Sequence, residues 1–297
     1  MSELLGILKF IDSHPLARRN RLAAFGRFVG WQLKSRLGAA EHEVPFVDDT
    51  RLRVRRGMRG ATGNIYAGLM EFPDMAFTLH FLKDSDLFAD VGANVGVYSV
   101  LAAGVRGART VAFEPTPETL ADLRANLALN FIDDWVTVLE CALGAEAGTQ
   151  SFVTDMDTIN HVATAADTAA GHSTREVQVR TLDEVFADRA PTLMKIDVEG
   201  FETEVLRGAT KTLADPALQA IIIELNGSGE RYGYDERAIH DLLTGQGFQC
   251  HTYDAFTRAL SPAADFGDHN TIYVRDSEHV AERLTTAPPF RVLAEYI

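Results

Sequence analysis

Apolar and polar positions follow a helical period at the start of the chain. In the first forty residues apolar side chains recur every three or four positions, which predicts two amphipathic helices. The apolar face predicted for the first helix comprises Leu4, Leu5, Leu8 and Ile11, and the face predicted for the second comprises Leu22, Phe25, Val29 and Leu33.

The pattern loosens between residues 43 and 75. Short strand-like pieces alternate there with turns. The glycines of these turns are Gly57, Gly60 and Gly63. We therefore predict a helical and irregular extension over residues 1–75 and a second domain over residues 76–297.

From residue 76 onward, short apolar strands alternate with helical stretches. The predicted strands are Leu87–Val91, Thr110–Phe113, Val136–Leu139, Leu193–Ile196, Ala220–Glu224, Gln249–His251 and Thr271–Val274. The predicted helices are Val97–Ala103, Pro117–Asn130, Glu202–Ala214 and Glu236–Gln246. This alternation is typical of a mostly parallel sheet covered by helices on both faces. The predicted fold class is therefore α/β, a doubly wound Rossmann-like sheet.

Residues 147–183 interrupt the alternation. They contain β-type pieces at Gln150–Val153 and Val177–Val179, with a loop rich in Thr and Ala between them. Long interruptions of this kind in a compact domain usually form lids or substrate-binding loops.

Composition limits the possible functions. The 297 residues are 46% hydrophobic and 24% charged, which is ordinary for a soluble globular protein. The net charge of −14 argues against nucleic acid as a partner, because phosphate binding needs clustered Lys and Arg. The longest apolar run, Val95–Val105, is shorter than the roughly 20 residues of a membrane helix. Only Cys141 and Cys250 are present, which favours a reducing, cytoplasmic location.

Charge is unevenly distributed along the chain. The first forty residues hold seven basic side chains against two acidic ones. A basic amphipathic helix at the start of the chain can contact an anionic membrane or a partner. The favoured interpretation is that the basic residues form a solvated helical face. The sequence does not determine the oligomeric state, and a homo-oligomer remains open.

A glycine turn follows the first strand of the predicted sheet. Gly92, Asn94 and Gly96 come directly after Leu87–Val91, and a helix begins next. Glycine allows unusual backbone dihedrals and a close approach to a ligand. Asp90, at the end of the strand, can accept hydrogen bonds from a cationic amino group. That property suits the methionine part of S-adenosylmethionine better than an anionic pyrophosphate.

An acid follows the second strand of the predicted sheet. Glu114 lies about twenty residues beyond the turn, where a carboxylate can accept hydrogen bonds from both hydroxyls of a ribose. The rival cofactor is a nicotinamide dinucleotide, whose fingerprint is G-x-G-x-x-G. Here the spacing is Gly92-x-Asn94-x-Gly96 and an acid precedes the turn, which disfavours a dinucleotide.

More acids follow later strands. Asp197 and Glu199 come after Leu193–Ile196, and Glu224 ends the next strand. Ligands of open α/β sheets bind outside the carboxyl ends of the strands, so these acids should face the crevice beside Asp90. Such a cluster raises at least one pKa and can supply a base or hold a divalent ion.

Two histidines are further candidates at this crevice. A methyl transfer to oxygen needs a base for the hydroxyl proton, and Asp197 and Glu199 can fill that role. His161, in the segment 157–161, competes with them for it. His269, next to Asn270 before the last strand, also points toward the crevice and ranks lower.

Taken together, these motifs resemble the FkbM-like methyltransferase family. The resemblance covers about residues 85–275. It rests on Asp90-Val91-Gly92-Ala93-Asn94-Val95-Gly96-x-Tyr98-Ser99, Phe113-Glu114-Pro115, Ala142-Leu143-Gly144, Thr181-Leu182-Asp183, Lys195-Ile196-Asp197-Val198-Glu199-Gly200, Glu202 and Leu206-x-Gly208-Ala209. It implies a seven-stranded class I sheet, S-adenosylmethionine as methyl donor, and O-methylation of a hydroxyl in a saccharide, polyketide or related small molecule.

The resemblance also implies roles for single residues. The predicted donor-binding residues are Asp90, Gly92, Asn94, Gly96 and Glu114, with Asp197 and Glu199 at the active-site edge. The extension lies outside the common core, and we expect its Tyr66 and Glu71 to close over the cofactor. A metal-free reaction is the favoured hypothesis. A nicotinamide oxidoreductase and a non-catalytic scaffold with the same fold remain alternatives.

Overall fold

The computed structural model describes residues 2–155, 160–267 and 269–297 of the chain. The first part is mainly helical. Its elements are α1 (Ser2–Ser13), α2 (Pro15–Arg19), α3 (Arg21–Leu37), β1 (Glu41–Pro45), β2 (Arg51–Arg55), α4 (Arg59–Ala67) and α5 (Phe72–Phe81). Strands β1 and β2 form an antiparallel hairpin.

The rest of the chain alternates strands with helices. Its strands are β3 (Leu87–Val91), β4 (Arg109–Phe113), β5 (Val136–Leu139), β6 (Ala142–Leu143), β7 (Gly148–Val153), β8 (Thr174–Arg180), β9 (Leu193–Ile196), β10 (Ala220–Glu224), β11 (Gln249–Asp254), β12 (Ala259–Pro262), β13 (Asn270–Val274), β14 (Arg291–Val292) and β15 (Glu295–Tyr296). Its α-helices are α6 (Val97–Ser99), α7 (Pro117–Leu129), α8 (Ala165–Ala170), α9 (Leu182–Val185), α10 (Glu202–Arg207), α11 (Thr210–Ala214), α12 (Glu236–Gly245) and α13 (Ser277–Thr286). Helix α6 continues as a π-helix over Val100–Val105, and a 3-10 helix spans Ser228–Tyr232.

The central sheet has eight strands in the order β12-β11-β13-β10-β9-β3-β4-β5. Strands β5, β4, β3, β9 and β10 run parallel, whereas β13 is antiparallel to both β10 and β11. All seven predicted strands are present, and β12 adds an eighth by forming an edge hairpin with β11. Strand β9 is fully buried and β10 nearly so, as expected for strands covered on both faces. The α/β Rossmann-like prediction is confirmed.

One predicted helix is broken. The segment predicted as Glu202–Ala214 forms α10 and α11, which are separated at Gly208 and Ala209. The Asp183 carboxylate accepts hydrogen bonds from the backbone N–H groups of Lys211 and Thr212, at 2.9 and 2.8 Å, and so caps α11. A side chain at Gly208 would also lie 2.1 Å from the Gly144 carbonyl oxygen. The break therefore coincides with the Asp183 cap at the start of α11 and with the close approach of Gly208 to the Gly144 carbonyl.

The predicted apolar face of α3 is wrong except at Phe25, which packs against the core. The helix packs inward through Ala24, Phe28 and Trp31, whereas Leu22, Val29 and Leu33 are exposed. Apolar residues occupy two sides of this helix, and the side that carries the aromatic rings is the buried one. In α1, similarly, Ile11 is buried while Leu4 and Leu5 are exposed.

The prediction of turns at Gly60 and Gly63 is also wrong, because both residues lie inside α4. An added Cβ at residue 63 would lie 2.3 Å from the Met70 sulfur, so the Met70 side chain would have to move. Residue 75 lies inside α5, and side chains from the predicted extension share one hydrophobic cluster with those of the sheet. The division of the chain at residue 75 stays a prediction.

The interruption over residues 147–183 is a small sheet beside the main one. Strands β7 and β8 pair antiparallel, in agreement with the predicted β-type pieces, and β6 pairs parallel with β8. Helix α8 lies within the Thr- and Ala-rich segment, where residues 156–159 fall outside the described part of the chain. Among the residues that the structure describes, no helix is long and apolar enough to cross a membrane.

Candidate active site

A cavity of about 350 Å³ lies at the carboxyl ends of β3, β4, β9 and β10. It brings together the five acids that the sequence placed at this edge of the sheet. They are Asp90, Glu114, Asp197, Glu199 and Glu224, and all of them line the cavity. Because parallel strands end at the same edge, residues far apart in sequence meet here.

The turn after β3 forms one wall of this cavity. Gly92 and Gly96 have φ angles of 80° and 82°, a left-handed region that favours glycine. A Cβ at Gly92 would lie 1.8 Å from the Asp197 carbonyl oxygen. The backbone N–H groups of Gly92 and Ala93 both donate to the Phe113 carbonyl, at 3.1 and 2.9 Å. The turn is thus fixed against the ends of β4 and β9.

Asp90 lies at the floor of the turn and is 1% exposed. Its Oδ2 accepts a hydrogen bond from the Ser99 hydroxyl at 2.7 Å. Burial raises the pKa of Asp90 to about 6, although the Ser99 hydrogen bond and the charge of Lys195 act in the opposite direction. A cation bound in the cavity would favour the charged form of this acid.

Glu114 follows β4 and connects two loops. Its Oε2 accepts from the backbone N–H of Asn94 at 3.1 Å, and its Oε1 accepts from that of Thr116 at 2.9 Å. Burial raises the pKa of Glu114 to about 7. A carboxylate has about four acceptor positions, so Glu114 retains capacity for a ligand's hydroxyl groups.

Lys195 is the principal site residue that the sequence analysis did not single out. It lies in β9, is 3% exposed, and its Nζ donates to Asp197 Oδ2 at 2.7 Å. Burial alone would lower the pKa of Lys195, but the surrounding acids, led by Asp197 and Glu71, raise it above its ordinary value. The available signal was a lysine inside an otherwise apolar strand, since a buried charge needs partners.

Glu71 and Tyr98 complete this side of the cavity. The Tyr98 hydroxyl donates to Glu71 Oε2 at 2.6 Å, and the Lys195 ammonium lies 4.9 Å from the centre of the Tyr98 ring. Glu71 was predicted to close over a cofactor, and it does line the cavity.

Three of the acids form a compact cluster. One carboxylate oxygen each from Asp197, Glu199 and Glu224 lies within 4.8 Å of the others. Burial and then the charge of Asp197 raise the pKa of Glu199 to about 7. Burial, Asp197 and Glu199 raise the pKa of Glu224 to about 9. Near neutral pH the cluster therefore carries protons that can be exchanged.

The loop that holds Glu199 is fixed by Glu202. Glu202 Oε1 accepts from the backbone N–H groups of Val198 and Gly200, both at 3.1 Å. Glu199 has a φ of 54°, a left-handed conformation that is uncommon outside glycine. A buried acid thus holds a strained backbone that directs Glu199 into the cavity.

The other predicted site residues lie elsewhere. His161 is buried, with its Nε2 3.2 Å from Asp167 Oδ2, and it does not line the cavity, although its neighbours Asn160 and Val162 do. The preceding residues 157–159 are outside the described part of the chain. His269 is exposed and lines neither described cavity.

Tyr66 does not reach the acid-lined cavity. It is buried against Phe28, with ring centroids 5.3 Å apart, and it lines a second cavity among the N-terminal helices. The structure therefore does not bring Tyr66 together with Asp90 and Glu114.

Comparison with known proteins gives a consistent result. The model of the methyltransferase FkbM domain matches residues 90–250, more than half of the chain. The chain is 29% identical to the 31-O-demethyl-FK506 methyltransferase FkbM of Streptomyces tacrolimicus, over 60% of this chain and 78% of that protein. It is 26% identical to methyltransferase sdnD of Sordaria araneosa, over 60% of this chain and 79% of that protein.

A third relative is the hexuronic acid methyltransferase AglP of Haloferax volcanii. It is 27% identical over 54% of this chain and 63% of that protein. The family match includes the glycine turn, Glu114 and the acid cluster. The resemblance noted in the sequence is therefore confirmed, and this methyltransferase chain belongs to the FkbM family.

Proposed function

We propose that the chain transfers a methyl group from S-adenosylmethionine to a hydroxyl oxygen of a small molecule, sugar or natural product. One observation carries the proposal: Asp90 and Glu114 meet across the glycine turn in a single cavity. The donor is a cation with an ammonium and a ribose, and the cavity offers acids to both. The names of the relatives support this class of reaction, since they include a 31-O-demethyl-FK506 methyltransferase and a hexuronic acid methyltransferase.

Each part of the donor has a matching group in this chain. Residues 92–95 of the turn line the cavity, whereas Gly96 does not. The two glycines instead let the turn pack closely against the Asp197 carbonyl and the Leu123 side chain. Glu114 would accept hydrogen bonds from the ribose hydroxyls, and Asp90 would balance the positive charge of the methionine part. When bound, the donor supplies a methyl group on a positively charged sulfur.

Glu199 is the best candidate for the base. As the acceptor oxygen bonds to the methyl carbon, the carbon–sulfur electron pair stays on sulfur and the hydroxyl proton moves to the Glu199 carboxylate. A base with a pKa near 7 is suited to this task at neutral pH, because it is partly ionised and still basic. Asp197 is less suited because its Oδ2 is held by Lys195. Most of the rate enhancement would come from alignment of the oxygen with the methyl carbon.

We further propose that the reaction needs no metal. The Lys195 ammonium already provides a positive charge beside Asp197. The net charge of −14 supports an acceptor other than nucleic acid. The two cysteines are buried free thiols, which supports a cytoplasmic location.

A labelled methyl transfer assay tests this proposal. The purified protein is incubated with S-adenosylmethionine that carries an isotopically labelled methyl group, together with a panel of sugars, uronic acids and macrolides. We expect the label in an ether-linked methyl of at least one hydroxyl compound, identified by mass spectrometry. Label that appears only on nitrogen or carbon would contradict O-methylation, and donor binding without transfer across the whole panel would favour a non-catalytic scaffold.

A further inference from the structure

A second cavity, of about 580 Å³, lies among the N-terminal helices. Its walls come from α1, α3 and α4 and from the residues around Arg56 and Met70. All of them precede residue 90, so the matched FkbM domain does not account for this cavity.

One part of the lining is aromatic. Trp31 and Phe28 of α3 and Phe10 of α1 line the cavity, and Trp31 and Phe28 are 5% and 6% exposed. This is the side of α3 that the sequence analysis did not expect to be buried. The parts of these rings that remain exposed give the cavity an apolar wall for a ring-shaped ligand.

The other part of the lining is polar and positively charged. Arg36 lies in the last turn of α3 and Arg56 directly follows β2, and both are exposed at the cavity. Among the described ion pairs, neither arginine is joined to a carboxylate. Further polar side chains in the lining are Gln32, Ser35, Thr62 and Tyr66. Arg36 Nη1 donates to the backbone carbonyl and the side-chain oxygen of Gln32, which leaves the other N–H groups of this guanidinium for a ligand. Together with the Arg56 guanidinium and the nearby hydroxyl and amide groups, they fit an anion that also carries hydroxyls.

Met70 lines both cavities, so its side chain is part of the wall of each. Its side chain lies against Gly63, and its backbone N–H donates to Asn64 Oδ1 at 2.8 Å. The backbone is therefore fixed while the side chain, an unbranched thioether, can change rotamer. Glu71, the next residue, lines the acid-lined cavity.

We propose that the second cavity binds the acceptor, and that the acceptor is an anionic saccharide. Arg36 and Arg56 hold its acid group, Trp31 and Phe28 contact its ring, and a hydroxyl passes Met70 toward the acid-lined cavity. This inference rests on the proposed function and adds the substrate class to it. The second cavity carries arginines for the anionic acceptor, whereas the acid-lined cavity carries carboxylates for the cationic donor. Each ligand therefore meets the opposite charge.

Trp31 gives a direct test of binding. The chain contains two tryptophans, and Trp135 lines neither described cavity, so Trp135→Phe leaves Trp31 as the only tryptophan reporter. In this background we expect glucuronate to change Trp31 fluorescence saturably, and glucose at equal concentration to give a much weaker response. Arg36→Gln and Arg56→Gln should each weaken glucuronate binding by about tenfold or more, because each removes a charge-assisted hydrogen bond.

Arg18→Gln is the matched control, because Arg18 is an exposed arginine of the same N-terminal part that lines neither described cavity. It should leave glucuronate binding unchanged. S-adenosylhomocysteine binding, measured by calorimetry, should be the same in all these variants. Equal responses to glucose and glucuronate, or equal glucuronate affinity in the Arg36→Gln, Arg56→Gln and Arg18→Gln variants, would overturn the anionic part of the proposal.

Two further outcomes separate the proposals. Saturable binding of octanoate without binding of glucuronate would overturn the saccharide class. A protein that binds S-adenosylhomocysteine but shows no Trp31 response to glucuronate would refute this inference alone. Absence of S-adenosylhomocysteine binding in the unmodified protein would instead refute the proposed function.

Discussion

The Glu114 carboxylate accepts a hydrogen bond from the backbone N–H of Asn94, with 3.1 Å between N and Oε2. The acid that follows the second strand is thereby joined to the glycine turn that follows the first. Asn94 itself has a φ of 50°, so the turn is held in a conformation that most residues avoid. The two sequence motifs form one structural unit before any ligand binds.

Gly92→Ala should be strongly destabilising. The new methyl group would meet the Asp197 carbonyl oxygen at 1.8 Å, in addition to the cost of a positive φ. We expect a loss of more than about 3 kcal/mol in the free energy of unfolding, measured by urea denaturation. Gly171→Ala is the control, because Gly171 has the same φ of 80° with no atom within 4 Å of an added Cβ. It should cost about 1–2 kcal/mol, and equal losses in the two variants would contradict the close contact.

Glu199→Gln should lower kcat by about 10²- to 10⁴-fold, because the amide cannot accept the hydroxyl proton. Affinity for S-adenosylhomocysteine should change little. In the unmodified protein, activity should rise with pH through about 7, since Glu199 acts as a base only when deprotonated. Glu230→Gln, a change at an exposed acid on the 3-10 helix beside the site, should leave kcat unchanged. Activity that does not change between pH 6 and 8 would show that Glu199 is not the base.

Activity should survive treatment with a strong chelator. Lys195 supplies the positive charge next to Asp197, where a metal ion would otherwise lie. The measurement is the methyl transfer rate before and after dialysis against EDTA. Loss of activity that is restored by a divalent cation would show that the three acids bind a metal.

Stability without ligand should fall as the pH rises. The pKa values of Asp90, Glu114, Glu199 and Glu202 are raised to between about 6 and 7 in the folded chain, so it holds protons that the unfolded chain releases. Unfolding then releases protons, and the free energy of unfolding decreases as the pH rises from about 4 through about 7. Thermal melts at several pH values measure this slope.

Glu202→Gln should make that slope shallower, because glutamine keeps the acceptor for Val198 and Gly200 and does not titrate. The exposed change Glu230→Gln should leave the slope as it is. Identical slopes in the two variants would show that Glu202 does not titrate with a raised pKa.

The fold and much of the site follow from local sequence rules. Strands bounded by Asp, Gly and Pro predicted the sheet, and the rule that parallel strands end at one edge predicted that Asp90, Glu114 and Asp197 would meet. The role of Lys195 was not predicted, because it depends on acids contributed by distant segments, including Glu71. Such a partner set becomes visible only when the chain is folded.

The packing of the N-terminal part was predictable only in part. The periodicity correctly indicated a helix at α3, but two of its sides are apolar, and tertiary contacts decide that Phe28 and Trp31 face inward. Glycines were interpreted as turn residues, whereas Gly63 provides space for Met70 within a helix. The space that a small residue leaves for a side chain packed against it does not appear as a periodic pattern in the sequence.

Calorimetric titration with S-adenosylhomocysteine tests the central claim most directly. We predict saturable binding at one site per chain, and a loss of affinity of about tenfold or more in Glu114→Ala, because charge-assisted hydrogen bonds to the ribose are removed. Glu118→Ala, which changes an exposed acid four residues away, should bind like the unmodified protein. Absence of binding, or tight binding of a nicotinamide dinucleotide in its place, would contradict the account.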